Sequence, residues 1–186
     1  AASYTNLANP GTYDAAPGVA PAFNTTTGWT FSGSQYLKTG IVPANGQSWI
    51  VCFANRTGTN DQWVFGLVER ISGTLYNMGA RPCDGFNSYT YYYTDKQGFQ
   101  AGAVIDSGVV AITPVGAYKN GTLDKSWSSP ASPTFSKEMI IGGRHYYEPG
   151  LEAWSASLKG DVVALACYSI DISSYISALT SAMNAL

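Results

Sequence analysis

The chain has 186 residues, of which 45% are hydrophobic, 13% are aromatic and only 12% are charged, with a formal net charge of −2. This length suits a single β-sandwich domain, and the apolar residues are sufficient for one core. Serine, threonine, asparagine and tyrosine must supply most of the polar surface, because the charged share is about half of the usual ~25%. Lysine and arginine are scattered singly, which excludes the basic stripe of a nucleic-acid-binding protein. No membrane span is predicted, because no run of about 18 apolar residues occurs.

The N-terminal part of the chain differs in composition from the rest. Residues 1–28 are rich in alanine, proline, asparagine, glycine and threonine, which predicts an extended arm with little regular structure. From Gly28 onward short strand-like runs follow one another, and several alternate apolar and polar residues as half-buried strands do. The run 162–166 is apolar throughout, which predicts a central strand. We therefore predict an arm over 1–28 and one domain over 29–186.

Turn chemistry favours antiparallel pairing of these strands. Asn120-Gly121 follows the strand-like run that ends at Tyr118, and both residues of this dipeptide tolerate the positive φ of a type I′ hairpin turn. The chain should therefore return as a second strand through Thr122 and Leu123. Many short strands with glycine-containing turns and almost no helix predict an all-β fold, namely a two-sheet antiparallel jelly-roll sandwich.

One short helix is predicted, over residues 172–185 at the C-terminal end. Asp171 or Ser173 can cap it. Its apolar stripe consists of Ile176, Leu179, Met183 and Leu186. An isolated helix of this length is marginal in water, so we expect it to pack on the sandwich or on a neighbouring chain.

The three cysteines are an odd number and have no metal-binding spacing. Cys52 and Cys167 lie in strand-like apolar runs, which favours buried free thiols. Free thiols are typical of proteins that fold in a reducing compartment. The alternative is one disulfide between two of the three cysteines, with the third left as a free thiol.

Five segments, taken in order, resemble a known family. The first two are an aromatic residue with a glycine turn and an alternating strand at 31–37, and a core strand at 48–53. The others are a hairpin with Tyr-x-Asn-Gly at 117–121, an apolar strand ending in a glycine pair at 139–144, and a closing strand at 158–170. In this order and spacing they resemble the laminin-G-like, concanavalin A-like jelly rolls over residues 29–186. The resemblance implies a sandwich with a short helical tail. It leaves function open, since such domains occur in polysaccharide-binding modules, adhesins, glycoside hydrolases and bacteriophage appendages.

The acidic residues do not form the pattern of a glycosidase. Such an enzyme needs two carboxylates facing one cleft, and concanavalin-like glucanases carry them on a Glu-x-Asp-x-x-Glu strand that this sequence lacks. Glu69 is a lone acid at a strand end, while Glu148 and Glu152 flank a Pro-Gly turn. We predict no catalytic residues; a glycoside hydrolase that pairs Glu69 with Glu148 or Glu152 is the alternative.

Metal and nucleophilic sites are not predicted either. His145 is the only histidine, so neither a Ser-His-Asp triad nor a zinc site has the residues it needs. We therefore predict no cofactor. Calcium is the alternative, because it needs only carboxylate and carbonyl oxygens, which residues 60–61 and 83–87 supply.

Aromatic residues are the best candidates for a binding site. Strand alternation in 88–94 places Tyr89, Tyr91 and Tyr93 on one face and Tyr92 on the other. Sugars stack on aromatic rings while their hydroxyls bond to polar tips, and tyrosine offers both. Tyr92 is therefore a candidate ligand-binding residue, the alternative being that these tyrosines pack in the core and in cross-strand pairs.

A predicted loop after the glycine pair supplies further candidates. Arg144, His145 and Tyr146 lie there, and functional residues concentrate in such loops. Trp127 and Trp154 lie in polar loop sequence, where each either contacts a ligand or folds back as a plug over the core.

These observations favour a non-catalytic, surface-displayed module with a carbohydrate-binding or adhesion role. We expect it on a bacteriophage virion, as a decoration, head or tail appendage, or on an extracellular surface. The expected partners are a glycan or cell-surface polysaccharide, and other protein subunits that contact the arm and the C-terminal helix. A purely structural or decoration protein without a ligand is the alternative.

Overall fold

The computed structural model describes residues 4–6, 8–84, 88–100 and 103–186. Its first strands are β1 (Ala16–Val19), β2 (Ala22–Asn24), β3 (Gly28–Ser32), β4 (Tyr36–Lys38), β5 (Ser48–Ala54), β6 (Asp61–Gln62), β7 (Phe65–Ile71), β8 (Thr74–Arg81) and β9 (Cys83–Asp84). They are followed by β10 (Tyr89–Thr94), β11 (Lys96–Gln100), β12 (Gly108–Ile112), β13 (Gly116–Lys119), β14 (Thr122–Ser126), β15 (Ile140–Ile141), β16 (Gly143–Glu148), β17 (Leu151–Ala156) and β18 (Lys159–Tyr168). A 3₁₀ turn (Ser173–Tyr175) leads into the helix α1 (Ile176–Met183).

The strands form two packed sheets, which confirms the predicted all-β sandwich. Sheet A has the order β1-β4-β15-β7-β8-β10-β11, and the hairpin β16–β17 is attached to it through β7. Sheet B has the order β14-β13-β12-β5-β18-β3-β2, and β6 and β9 form a separate ribbon. Pairing is antiparallel throughout the described residues except between β16 and β7, which run parallel. No helix in the described residues is long and apolar enough to cross a membrane.

The N-terminal arm contributes to both sheets. Little regular structure was expected in residues 1–28, yet β1 pairs with β4 at the edge of sheet A and β2 pairs with β3 at the edge of sheet B. The side chains of both edge strands are exposed. The boundary between arm and domain at residue 28 stays a prediction.

The main core lies between the inner faces of the two sheets. Alternation along β5 directs Trp49, Val51 and Phe53 into this core, where they meet inward residues of sheet A. Those residues include Phe65, Leu67, Met78, Ala80, Tyr91 and Tyr93. Burial of large apolar side chains of this kind stabilises the fold by about 1.5–3 kcal/mol each.

A second core covers the outer face of sheet B. The outward residues Ile50 and Cys52 of β5 pack with Val109 and Ala111 of β12. The C-terminal segment closes this layer with Ile172, Ile176 and Met183. The strands β5 and β12 are therefore buried on both faces, which explains why they are apolar throughout rather than alternating.

The C-terminal helix is shorter than predicted and packs on its own sandwich. It spans Ile176–Met183 rather than 172–185, and Asp171 stabilises the preceding 3₁₀ turn by accepting a hydrogen bond from the Ser173 N–H at 3.0 Å. Leu186, predicted to belong to the apolar stripe, lies beyond the helix and is 74% exposed. Contact of this helix with another subunit stays a prediction.

Two local predictions are confirmed. Asn120 and Gly121 have φ values of 49° and 83° and connect β13 to β14, as a type I′ turn requires. Cys52, Cys83 and Cys167 are all free thiols, the first two buried. Burial raises the pKa of the Cys52 and Cys167 thiols, which makes them poor nucleophiles.

Candidate functional site

Two glycines form a depression on the outer face of sheet A. Gly66 of β7 lies directly opposite Gly79 of β8, and both alternate with residues that face the main core. The indole ring of Trp63 occupies this space, because a Cβ atom at Gly66 would lie only 2.5 Å from its Cε3 and one at Gly79 only 3.1 Å from its Cζ3. Trp63 is therefore 1% exposed although it lies outside the main core.

Tyr92 adds a second ring beside the tryptophan. It lies opposite Gly79 in register, and its ring stacks on Trp63 with a centroid distance of 5.1 Å and an angle of 12° between planes. Tyr89, Tyr91 and Tyr93 point into the main core instead, so the predicted division of the tyrosines between two faces is confirmed. Tyr92 remains half-buried, and burial raises the pKa of its hydroxyl although Arg81 acts in the opposite direction.

Arg81 fixes the polar groups around these rings. Its guanidinium lies 5.9 Å from the centroid of the Trp63 ring, within the range of a cation–π interaction. It donates hydrogen bonds to the Tyr92 hydroxyl at 3.2 Å and to the Asp84 carbonyl at 3.0 Å. Its Nε also forms an ion pair with Asp61 Oδ1 at 3.1 Å. The donors of Arg81 are thus directed into the protein.

Arg144 and Asp61 form the exposed rim of the same group. The Arg144 guanidinium lies 5.7 Å from the Trp63 centroid, and its Nη1 is 4.0 Å from Asp61 Oδ2, which is longer than a hydrogen bond. The side chains of Arg144 and Asp61 are 33% and 42% exposed. We call Asp61, Trp63, Arg81, Tyr92 and Arg144 the Trp63 cluster.

Two of the six predicted ligand-binding residues, Tyr92 and Arg144, belong to the Trp63 cluster. Sequence reasoning missed Trp63 and Arg81, and it considered Asp61 only as a possible calcium ligand. A glycine inside a strand-like run often marks the close approach of another group, so Gly66 and Gly79 were the signal that could have indicated the site.

His145 and Trp154 lie on the other face of the β16–β17 hairpin, which was predicted as a loop. Their rings stack with a centroid distance of 3.7 Å, and Trp154 also stacks on Tyr36 at 5.5 Å. His145 is 1% exposed, and its ring nitrogens lie 3.1 Å from the Glu138 carbonyl oxygen and 2.8 Å from Glu152 Oε1. Both residues therefore hold the hairpin in place, and their role in ligand binding stays a prediction.

Tyr146 and Trp127 lie apart from the cluster. Tyr146 is on the same face as Arg144, two residues further along β16, where the Arg70–Glu148 ion pair of 2.8 Å lies. Trp127 stacks on Tyr93 at 6.0 Å and donates its indole N–H to the Thr113 carbonyl at 3.1 Å. The geometry of Trp127 corresponds to the predicted alternative of a plug over the core. Ligand contact by Trp127 or by Tyr146 stays a prediction.

The register aligns two of the acidic residues considered for catalysis. Tyr147 lies opposite Glu69 in β7 and opposite Glu152 in β17, so the two acids stand in one row across three strands. Glu69 is 3% exposed, and its carboxylate accepts hydrogen bonds from the hydroxyl and the N–H of Ser136 at 2.6 and 3.0 Å. The hydrogen bond with His145, and then that with Lys137, holds the pKa of Glu152 below its usual value. A sugar cannot reach Glu69 in this conformation.

The acidic residues considered for calcium are paired with an arginine. Asp61 and Asp84 lie opposite each other in the β6–β9 ribbon, and Arg81 lies 3.1 and 3.8 Å from their carboxylate oxygens. A guanidinium therefore supplies positive charge beside these carboxylates; the predicted absence of a cofactor and the calcium alternative both stay predictions. The described residues contain no group of three or more His, Cys, Asp or Glu residues that could hold a metal, and residues 85–87 of the predicted segment lie outside them.

Comparisons with known proteins support the fold. No protein-family model matches the sequence, and a search of curated proteins gives no significant match. A Trypanosoma rangeli sialidase mutant displaying trans-sialidase activity is similar with a TM-score of 0.58 at 14% identity, over 91% of this chain and 30% of that one. Trypanosoma rangeli sialidase in complex with 2,3-difluoro-KDN gives 0.56 at 12% identity, over 85% and 28%.

The chain thus spans less than a third of the length of these sialidases. At such identities the likeness shows a shared β-sandwich fold and nothing about activity. The assignment to the laminin-G-like family, which is narrower than the β-sandwich fold, stays a prediction.

Proposed function

We propose that this chain is a non-catalytic carbohydrate-binding module whose ligand contacts the Trp63 cluster on the outer face of sheet A. The observation that supports the proposal is the partly exposed trio of Tyr92, Arg144 and Asp61 above a fully buried tryptophan. It combines an aromatic ring with a charged donor and a charged acceptor, which is the chemistry that sugar rings and their hydroxyls require. The scaffold beneath is rigid, because all three side chains belong to strands, namely β6, β10 and β16.

The first experiment is a glycan-array screen of the purified chain, followed by calorimetric titration of the best ligand. Arg144→Met should weaken binding by at least about tenfold, equivalent to ~1.4 kcal/mol, because it removes the guanidinium. The methionine keeps an apolar side chain over Trp63, so the fold should be retained.

Arg70→Met is the matched control for this variant. Arg70 is a half-exposed arginine on the same face of sheet A, but its partner is Glu148 rather than the Trp63 cluster. Its replacement should leave the affinity unchanged. Equal affinity of the wild type and Arg144→Met would contradict the proposal, as would the absence of any bound glycan.

The proposal assigns no catalytic step to the chain. Glu69, which lies in one row with Glu152, is buried beneath Ser136. Both ring nitrogens of His145 already have partners, namely Glu152 and the Glu138 carbonyl. A glycoside hydrolase would have to open both arrangements. Release of reducing sugars from a bound polysaccharide, abolished by Glu152→Gln, would support the hydrolase instead.

A structural role within a larger assembly is the second candidate. Apolar side chains stay exposed along the C-terminal segment, where Ile170, Tyr175 and Leu186 are 58%, 60% and 74% exposed. Such residues would contact another subunit of a virion or of an extracellular surface layer. Sedimentation of the wild type and of Ile170→Ser over a range of concentrations tests this role. If both variants sediment as monomers at every concentration, the result argues against self-assembly through this segment.

A further inference from the structure

We infer that the Trp63 cluster selects neutral sugars with adjacent hydroxyls and discriminates against carboxylated or sulfated ones. This inference rests on the proposed carbohydrate-binding function and names its ligand class. The placement of Asp61 relative to Arg144 carries it.

The gap between these two side chains fits a hydroxyl group. Arg144 Nη1 and Asp61 Oδ2 are 4.0 Å apart, so an oxygen atom at a hydrogen-bonding distance of about 2.8 Å from each can lie between them. A hydroxyl donates one hydrogen bond and accepts others. It can therefore donate to Asp61 while it accepts from Arg144. A second hydroxyl on the neighbouring carbon can use the remaining donors of Arg144.

A carboxylate or sulfate cannot make both of these contacts. It has no proton to donate, so it would bond to Arg144 and face the negative charge of Asp61 at short range. Arg81 gives no compensation, because its Nη1 and Nη2 already donate to the Tyr92 hydroxyl and the Asp84 carbonyl, and its Nε is buried beside Asp61. The charged groups of the site balance, with Arg81 and Arg144 against Asp61 and Asp84. An anionic ligand therefore meets no excess of positive charge.

The acceptor is held in place before any ligand arrives. The ion pair of Asp61 Oδ1 with Arg81 leaves Oδ2 on the side of Arg144. Arg81 is itself oriented by the Asp84 carbonyl and the Tyr92 hydroxyl. Such prior ordering reduces the entropy lost on binding. Tyr92 is the ring available to a sugar face, since Trp63 is 1% exposed.

The test compares neutral with acidic polysaccharides on the full chain. Mannan, dextran and 1,4-linked galactan, which keep hydroxyls on adjacent carbons, form the neutral group, and alginate, polygalacturonate and chondroitin sulfate the acidic group. We expect binding within the neutral group only, with an affinity that changes less than about twofold between low and high salt, because no ion pair forms with the ligand. Binding confined to the acidic group, or equal binding to both, overturns the inference while leaving carbohydrate binding intact.

Asp61→Ala separates the two ligand classes most sharply. If a hydroxyl bridges the pair, this variant loses at least about tenfold in affinity for the neutral ligand. If the site binds anions, the same variant gains affinity for the acidic group. Glu148→Ala, which removes a carboxylate from the same sheet face away from the cluster, should change neither, and thermal unfolding of both variants checks that they are folded. If no polysaccharide of either group binds, the proposed function fails and the inference fails with it.

Discussion

At the scale of single residues, two glycines and one tryptophan build the candidate site. Gly66 and Gly79 lack the side chains that would fill the outer face of sheet A, and Trp63 occupies the space that they leave. The ring is then covered by Tyr92, Arg81 and Arg144. Arg144 lies far from the glycines in the sequence, so its position over the ring depends on the parallel pairing of β16 with β7.

Gly66→Ala tests this arrangement directly. The new Cβ would lie 2.5 Å from Trp63 Cε3 and 3.1 Å from Arg144 Cβ, so both side chains must move. Overpacking of this kind costs about 1–3 kcal/mol, which urea unfolding monitored by tryptophan fluorescence would measure. The free energy of unfolding should fall by that amount, and ligand affinity should fall with it.

A double-mutant cycle supplies the control for Gly66→Ala. Trp63→Leu leaves room for the added methyl group, so the double variant should be more stable than the sum of the single effects. Strict additivity would show that the two residues do not compete for the same space.

At the scale of the elements, the C-terminal segment is part of the fold rather than an appendage. Ile172, Ile176 and Met183 cover Ile50 and Cys52 of β5 and their neighbours in β12. The helix α1 has no side-chain N-cap and carries no charge in its end turns. Its stability must therefore come from this packing, as is usual for short helices.

Ile176→Ala should lower the free energy of unfolding by about 2–5 kcal/mol, because it opens a cavity between α1 and sheet B. The adjacent Tyr175 is 60% exposed, and Tyr175→Ala should change stability by no more than about 0.5 kcal/mol. Chemical unfolding of both variants provides the measurement. Equal effects would mean that the helix does not pack on the sheet in solution.

At the scale of the whole molecule, the sandwich buries a row of tyrosines between its sheets. Tyr89, Tyr91 and Tyr93 of β10 all belong to the main core. Burial, as the largest cause, raises the pKa of Tyr93 from 10 to about 12 and that of Tyr89 likewise to about 12. It raises the pKa of Tyr91 as well. The protonated phenols are therefore favoured in the folded state.

The consequence for stability at high pH follows from linkage. These groups contribute stability that is fully present below the unfolded pKa of about 10 and is lost as the pH rises toward the folded value of about 12. Tyrosinate absorbance and far-ultraviolet circular dichroism should therefore change together over that interval for the buried tyrosines. Ionisation of every tyrosine before any unfolding would contradict the buried row.

Strand alternation and turn chemistry in the sequence were sufficient for the sandwich and for several local features. The period of two placed Tyr92 opposite to Tyr89, Tyr91 and Tyr93, and Asn120-Gly121 placed the β13–β14 turn. Such features depend on neighbouring residues, whose relative directions follow from the local backbone alone.

The candidate site required the tertiary structure. His145 and Trp154 were expected in loops but lie in the paired strands β16 and β17, and Trp127 packs on the core. Alternation determines which side chains share a face of a strand, but it does not determine which strand lies alongside. Arg81 and Tyr92 reach Trp63 through the successive strands β7, β8 and β10. The pairing of β16 with β7, between segments distant in the chain, is what brings Arg144 to the same ring. That pairing depends on the burial of the whole core, and so only the folded molecule decides it.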